Sequence, residues 1–159
     1  MPMVDPMDAL LSFNDALKQN LLQLHKGEID KDLYVHIDRP EGETRMTYTR
    51  IVGKVAFALV TFVQADSVGD EPCFGIGYAV LPTHRGKGIA SNLVKAATIE
   101  LLNGFGRNGV PILHIEAIVG VENYESQRVA EKTISKDRTT ANDEHSGEPA
   151  FQYINRFKA

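Results

Sequence analysis

Tryptophan is absent from this 159-residue chain, and cysteine occurs once, at Cys73. A single cysteine excludes an intramolecular disulfide. With the five histidines scattered singly, no Cys/His cluster has the spacing of a structural zinc site, so no metal is expected. No uninterrupted apolar run approaches the roughly 20 residues that span a bilayer. A basic stripe is missing too: 17 Lys and Arg stand against 21 Asp and Glu, and the acids are spread along the chain. That balance argues against nucleic acid and fits a cationic substrate. The opening MPMVDPMDALLSF has two aspartates and no basic stretch, so the expectation is a cytoplasmic protein without membrane contact. Repeats, low-complexity tracts and linkers are also lacking. What remains, 43% hydrophobic and 24% charged residues, has the composition of one domain over 1–159 with a core of its own.

Asp5 followed by Pro6 reads as a helix N-cap and first turn. Leu10, Phe13, Leu17, Leu21 and Leu24 then recur at helical spacing until Gly27, predicting an N-terminal helix within 1–27. Its leucine stripe is read as core, with the face of a homodimer as the alternative. DLYVHID, TRMTYTRI and KVAFALVTFV are rich in β-branched and aromatic residues and predict three antiparallel strands. DSVGDEP reads as a polar loop, and CFGIGYAV as a fourth strand ended by Pro82. From Lys87 the period changes: Ile89, Leu93, Val94, Ala97, Leu101 and Leu102 line one helical face, closed by the glycines of NGFGRNG. PILHIEAIV predicts a fifth strand and ENYESQRVAEK a further amphipathic helix. The segment 136–159 predicts a hairpin of RTTAND and PAFQYINRF joined by EHSGE. The order predicts a mixed α/β domain around one twisted sheet.

The stretch HRGKGIASNLV, residues 84 to 94, puts glycines at the mouth of a helix, where bare backbone can approach an anion. A P-loop would need glycine at Leu81 and Ser or Thr at Gly88. A dinucleotide fingerprint from Gly75 or Gly86 would need its third glycine at Val80 or Ser91. Neither pattern is met.

Arg85, Gly88 and Ala90 do satisfy Arg/Gln-x-x-Gly-x-Gly/Ala, after a strand ending Val80-x-Pro82 and before a long helix. Here the chain resembles the GNAT superfamily of acetyl-CoA-dependent N-acetyltransferases. A second match follows the strand HIEAIV. The run from Asn123 through Ser126 and Val129 to Lys132 is similar to that family's Asn-x-x-Ser-x-x-Val/Leu-x-x-Lys helix. It looks most like the branch that acetylates amino termini of ribosomal proteins and some small amines. The resemblance implies a single mixed, mostly antiparallel twisted sheet flanked by helices, with a splay between the fourth and fifth strands, and acetyl-CoA as cosubstrate. It implies that the N–H groups of Gly86, Lys87, Gly88, Ile89, Ala90 and Ser91 hold the pyrophosphate, with Arg85 and Lys87 adding charge. It further implies that the main chain of Ala79, Val80 and Leu81 pairs with pantetheine, that the Val80 N–H polarises the thioester carbonyl, and that Asn123 bonds the pantetheine region or the strand beneath it.

Three positions depart from the family pattern. A short turn around RPEGE replaces the two helices that usually cap the acceptor site. Ala130 stands where many members carry a tyrosine that protonates the thiolate, and Thr133 and Ile134 replace a Gly-Phe pair.

Acetyl transfer also needs a base and an acid. Glu116 and His114 alternate with Ile118 on one strand face, an unusual pair for a buried strand. Glu116 is the candidate base, directly or through water, with an ion pair to a nearby Arg or a solvent-facing edge position as its alternative. His114 is read as a hydrogen-bonded structural residue. Ser126 is the thiolate partner by resemblance and Tyr153 its substitute, although alternation with Phe151 and Phe157 equally suits Tyr153 to a core. Cys73, lacking a basic partner, is read as packing. His84 either touches phosphate or faces solvent. The expected activity is direct acetyl transfer to a primary amine of a small molecule or a protein N-terminus. The alternative is a catalytically silent member that binds acyl-CoA as a sensor or assembly module.

Overall fold

A computed structural model describes residues 5–144 and 146–159. The first four residues and His145 of the expected EHSGE turn lie outside the described residues. Three helices, α1 (Pro6–Lys18), α2 (Ile89–Arg107) and α3 (Tyr124–Thr133), flank one sheet. Its strands are β1 (His25–Lys26), β2 (Tyr34–Asp38), β3 (Arg45–Val52), β4 (Val55–Val68), β5 (Glu71–Val80), β6 (Ile112–Gly120), β7 (Thr139–Asn142) and β8 (Pro149–Lys158). They lie in the order β1-β2-β3-β4-β5-β6-β8-β7. Every pairing is antiparallel except β5 with β6. The mixed, mostly antiparallel sheet is the expected one with a two-residue strand added at its edge. No helix among the described residues is long and apolar enough to cross a membrane.

Period-2 alternation divides the sheet into two faces. Val60 and Phe62 of β4 with Leu113 and Ile115 of β6 meet Leu93, Val94, Ala97 and Leu101 of α2. The other face of β4, through Ala56 and Leu59, receives Leu10 and Phe13 of α1. The leucine stripe of α1 thus packs against its own sheet. Asn14 fastens the helix there, donating to the Ala56 carbonyl at 2.9 Å and accepting from the Ala56 N–H at 2.8 Å.

Several boundaries depart from the pattern-based reading. Helix α1 stops at Lys18, where Gln19 caps it and Asn20 turns to φ 55°, and Leu21 is 69% exposed. Gly27 has a packing role and not a helix-stop role: a Cβ there would lie 2.3 Å from the Asp30 carbonyl and 2.8 Å from Glu100 Oε1. The buried Glu100 carboxylate of α2 accepts from the N–H groups of Glu28, Ile29 and Asp30 at 3.0, 2.6 and 2.7 Å. The three N–H groups thereby supply the partners that a buried carboxylate requires. The polar run DSVGDEP is mostly strand, since backbone pairing continues to Val68 opposite Glu71 and only Gly69 and Asp70 turn. Helix α2 runs through Gly104 and Gly106 and is capped only at Asn108.

Candidate functional site

The parallel pairing of β5 with β6 is short. It joins Cys73 to His114, Phe74 to Ile115 and Gly75 to Glu116 and then ends, although β5 continues to Val80 and β6 to Gly120. Past Gly75 the two strands therefore splay, at the junction the sequence reading specified. Ladder alternation decides which backbone groups face the gap. Leu81 N–H donates to the Phe57 carbonyl at 2.9 Å, so Ala58 and Val80 form a non-hydrogen-bonded pair, as do Val60 and Tyr78 two residues on. The polar groups of Tyr78 and Val80 consequently point away from β4 into the splay, while those of Ala79 point to β4. Of Ala79, Val80 and Leu81, only Val80 offers its amide to the gap. Tyr78, which sequence reasoning passed over, provides the second.

The glycine loop stands at one end of the splay. Gly86 and Gly88 have φ 78° and 71°, and a Cβ at either would meet nothing within 4 Å. Gly88 is the N-cap of α2 and supplies no side-chain acceptor. The first N–H groups of the helix, on Ile89, Ala90 and Ser91, therefore lack an intrahelical partner and carry the positive end of its dipole. Arg85 folds back, its Nε donating to the Val80 carbonyl at 3.1 Å. His84 stacks on Phe57 with ring centroids 4.8 Å apart.

A cleft of about 1140 Å³ runs from this loop through the splay to the α1 face of the sheet. Arg85, Gly86, Gly88, Ile89, Ala90 and Ser91 line its first part, while Leu81 and Lys87 stand outside the lining. Ala79 and Val80 line its middle, and Asn123, Ser126, Arg128 and Lys132 contribute from α3. On the α1 face the walls are Asp5 and Asp8 at the start of α1, Arg45, Thr61 and Glu116. Arg45 is already matched by a two-point contact with Asp38, at 2.9 and 2.6 Å. The floor is bare at Gly75, whereas Gly77 lies against Pro6 of α1, whose Cγ is 3.2 Å from where a Cβ would stand. The α2/α3 side thus carries the open amides with Arg85, Arg128 and Lys132, alongside Glu125, and the α1 side carries Asp5, Asp8 and Glu116 with Arg45.

Asn123 caps α3, its Oδ1 accepting from the Ser126 N–H at 3.2 Å. Tyr78 crosses from β5 to the same helix, its hydroxyl donating to the Ser126 carbonyl at 2.6 Å. Burial pushes this phenol above its ordinary range, so it stays protonated. Glu116 is the last β6 residue paired with β5. It accepts from Gln152 Nε2 at 2.9 Å, and its expected alternative partner, an arginine, is not the group beside it. His114 is structural: Nε2 lies 3.0 Å from Glu71, which Arg156 also grips through two bonds of 2.9 Å. Arg156 first and His114 second hold the Glu71 carboxyl down to about 2. Cys73 is buried, and desolvation, with the Glu116 and Asp66 charges, pushes its thiol up to about 11, which suits packing. Tyr153 has no exposed surface and is absent from the cleft lining. Its hydroxyl accepts from Arg138 Nη1 at 3.2 Å. Among the described residues no group of three or more His, Cys, Asp or Glu could hold a metal ion.

Comparison with known proteins adds the family. The model of the acetyltransferase (GNAT) family matches residues 14–134. No curated protein matches the chain. Among solved structures, the chain is similar to AAC(6')-Ib in complex with paromomycin and acetyl-CoA, at 20% identity and TM-score 0.53, covering 70% of this chain and 64% of that one. It thus aligns with less than two thirds of that protein. It is also similar to a GNAT-family acetyltransferase from Bacillus anthracis, at 17% identity and TM-score 0.52, covering 86% of this chain and 98% of that one. At these identities the likeness to the solved structures is one of fold.

Proposed function

The chain belongs to the acetyltransferase (GNAT) family, and from that premise we propose that it transfers an acetyl group from acetyl-CoA directly to a primary amine of a small molecule or a protein N-terminus. The observation that carries this reading is the single cleft joining the open amides of the glycine loop to the Glu116 carboxylate through the splay.

On the α2/α3 side the amides of Gly86, Gly88, Ile89, Ala90 and Ser91 and the α2 dipole meet the pyrophosphate. Each dipole interaction is worth about 0.3–1 kcal/mol when exposed and up to about 2 when partly buried. Arg85, Arg128 and Lys132 supply countercharge along the same wall. The free amides of Tyr78 and Val80 hold the pantetheine arm and the thioester carbonyl, where charge develops as the amine attacks. The amine comes from the α1 face. Glu116 takes its proton, directly or through water, as the C–N bond forms and the C–S bond breaks. Ser126, on the wall of the splay, is the hydroxyl that meets the departing thiolate.

The acceptor determines how strong this base must be. A lysine side chain has a pKa of about 10.4 and an α-amine about 7.7–8.0, so an α-amine is already partly neutral near pH 7. One carboxylate without an activating dyad suits the second kind of acceptor.

Titration calorimetry with acetyl-CoA beside ATP and NAD, followed by thiol release against amino acids, polyamines and N-terminal peptides, tests the reading. Binding of acetyl-CoA alone with amine-dependent thiol release is expected. Binding without release from any acceptor would favour an acyl-CoA sensor, and no binding would overturn the proposal.

A further inference from the structure

The terminal strands reach the cleft by one route. Gln152 on β8 sits diagonally across from Glu116 on β6, and Thr139 on β7 pairs directly with Gln152, all on the α1 face. Gln152 Nε2 donates to Glu116 Oε2 at 2.9 Å. Thr139 Oγ1 donates to Gln152 Oε1 at 3.3 Å. A carboxamide presents donors at one end and an acceptor at the other. By bonding the acceptor end, Thr139 determines which end meets Glu116.

We propose that Gln152, oriented by Thr139, is a positioning residue. It pins Glu116 through Oε2 so that Oε1 remains directed at the acceptor amine. The inference rests on Glu116 being the base. It gives β7 and β8 a part in the chemistry: they carry a three-residue chain, Thr139 to Gln152 to Glu116, from the sheet edge to the cleft.

Other ionisable groups near Glu116 are Cys73 and His114 one strand repeat away, with Asp66 of β4 acting on Cys73, Glu71 with Arg156 beyond them, and Arg45, Asp5, Asp8 and Asp143 on the cleft wall. They are the same in every Gln152 variant, so differences among those variants report on the residue at 152. A hydrogen bond to a carboxylate favours its charged form, and a neighbouring carboxylate opposes it. The acid limb of the kcat/KM profile should therefore move to higher pH in the order wild type, Gln152→Ala, Gln152→Glu. Gln152→Ala removes only the hydrogen bond. Its kcat should fall roughly tenfold, from lost orientation of the base, with acetyl-CoA affinity unchanged. Thr139→Ala, at an exposed edge position, should give a smaller shift in the same direction, and Thr139→Ser should restore the wild-type profile.

The experiment measures these profiles and acetyl-CoA affinity in the full chain, with Glu116→Gln in parallel. Unmoved limbs in the Gln152 variants while Glu116→Gln abolishes the limb would overturn the positioning role and leave Glu116 as base. Full activity of Glu116→Gln would overturn both. Loss of acetyl-CoA affinity together with kcat in the Gln152 and Thr139 variants would mark a purely structural role and also overturn the proposal.

Discussion

Gly88 is where fold and ligand binding can be separated most cleanly. Its φ of 71° lies in the left-handed region, and a Cβ would project into open space. Gly88→Ala should therefore disturb only the backbone, at about 1–2 kcal/mol. For a chain of this size each kcal/mol lowers Tm by about 2–4 °C, so the variant should remain folded at room temperature. Gly88→Glu carries the same backbone cost and adds a charge to the anion cradle. At about 5 Å from a pyrophosphate charge and an effective dielectric of about 20, the repulsion is about 3 kcal/mol, or roughly 10²-fold in Kd. Calorimetry on wild type and both variants, with parallel melting curves, separates the terms. The two variants should share a Tm and differ in affinity, and added salt should narrow the difference through screening. Equal acetyl-CoA affinity in the two variants would refute the placement of the pyrophosphate at this turn.

Glu116→Gln should leave acetyl-CoA affinity unchanged and lower kcat by about 10²-fold or more; full turnover would exclude Glu116 as the base. Gly75→Val tests the bare floor of the acceptor side, since a Cβ there meets only the Val63 carbonyl, at 3.9 Å. Acceptor KM should rise with Tm and acetyl-CoA affinity preserved, and an unchanged KM would place the acceptor elsewhere. The pH dependence of stability has a definite sign at Glu71. Its folded pKa of about 2 lies below the ordinary 4.5, so its stabilisation is complete above about 4.5 and is lost as pH falls towards about 2. The Tm difference between wild type and Glu71→Gln should be present above about 4.5 and shrink as pH falls towards about 2; a difference that did not shrink across that window would contradict the Arg156 and His114 contacts as its source.

Local patterns carried much of this protein into view. The Arg85–Ala90 spacing before a helical period and the Asn123–Lys132 helix are short-range features, because an anion cradle is built from consecutive amides and a cap from residues three apart. Strand periodicity likewise defined the mixed sheet and the face shared by His114, Glu116 and Ile118. The boundaries that differed are those where distant partners overrule local preference. DSVGDEP is extended because β4 and β5 pair with each other, and Gly27 is required by Glu100, some seventy residues away in the chain. Ladder register was equally invisible in the sequence, yet it decides that Tyr78 and Val80, and not Ala79 or Leu81, offer their amides to the splay. The same holds for Glu116 and Gln152, and for the burial of Tyr153, whose alternation with phenylalanines suited either role. Sequence by itself therefore determined the family, the sheet and the glycine turn that opens α2, all written in contiguous residues. Tertiary structure alone decided which side chains and amides share the cleft, because strands far apart in the chain meet only through their register.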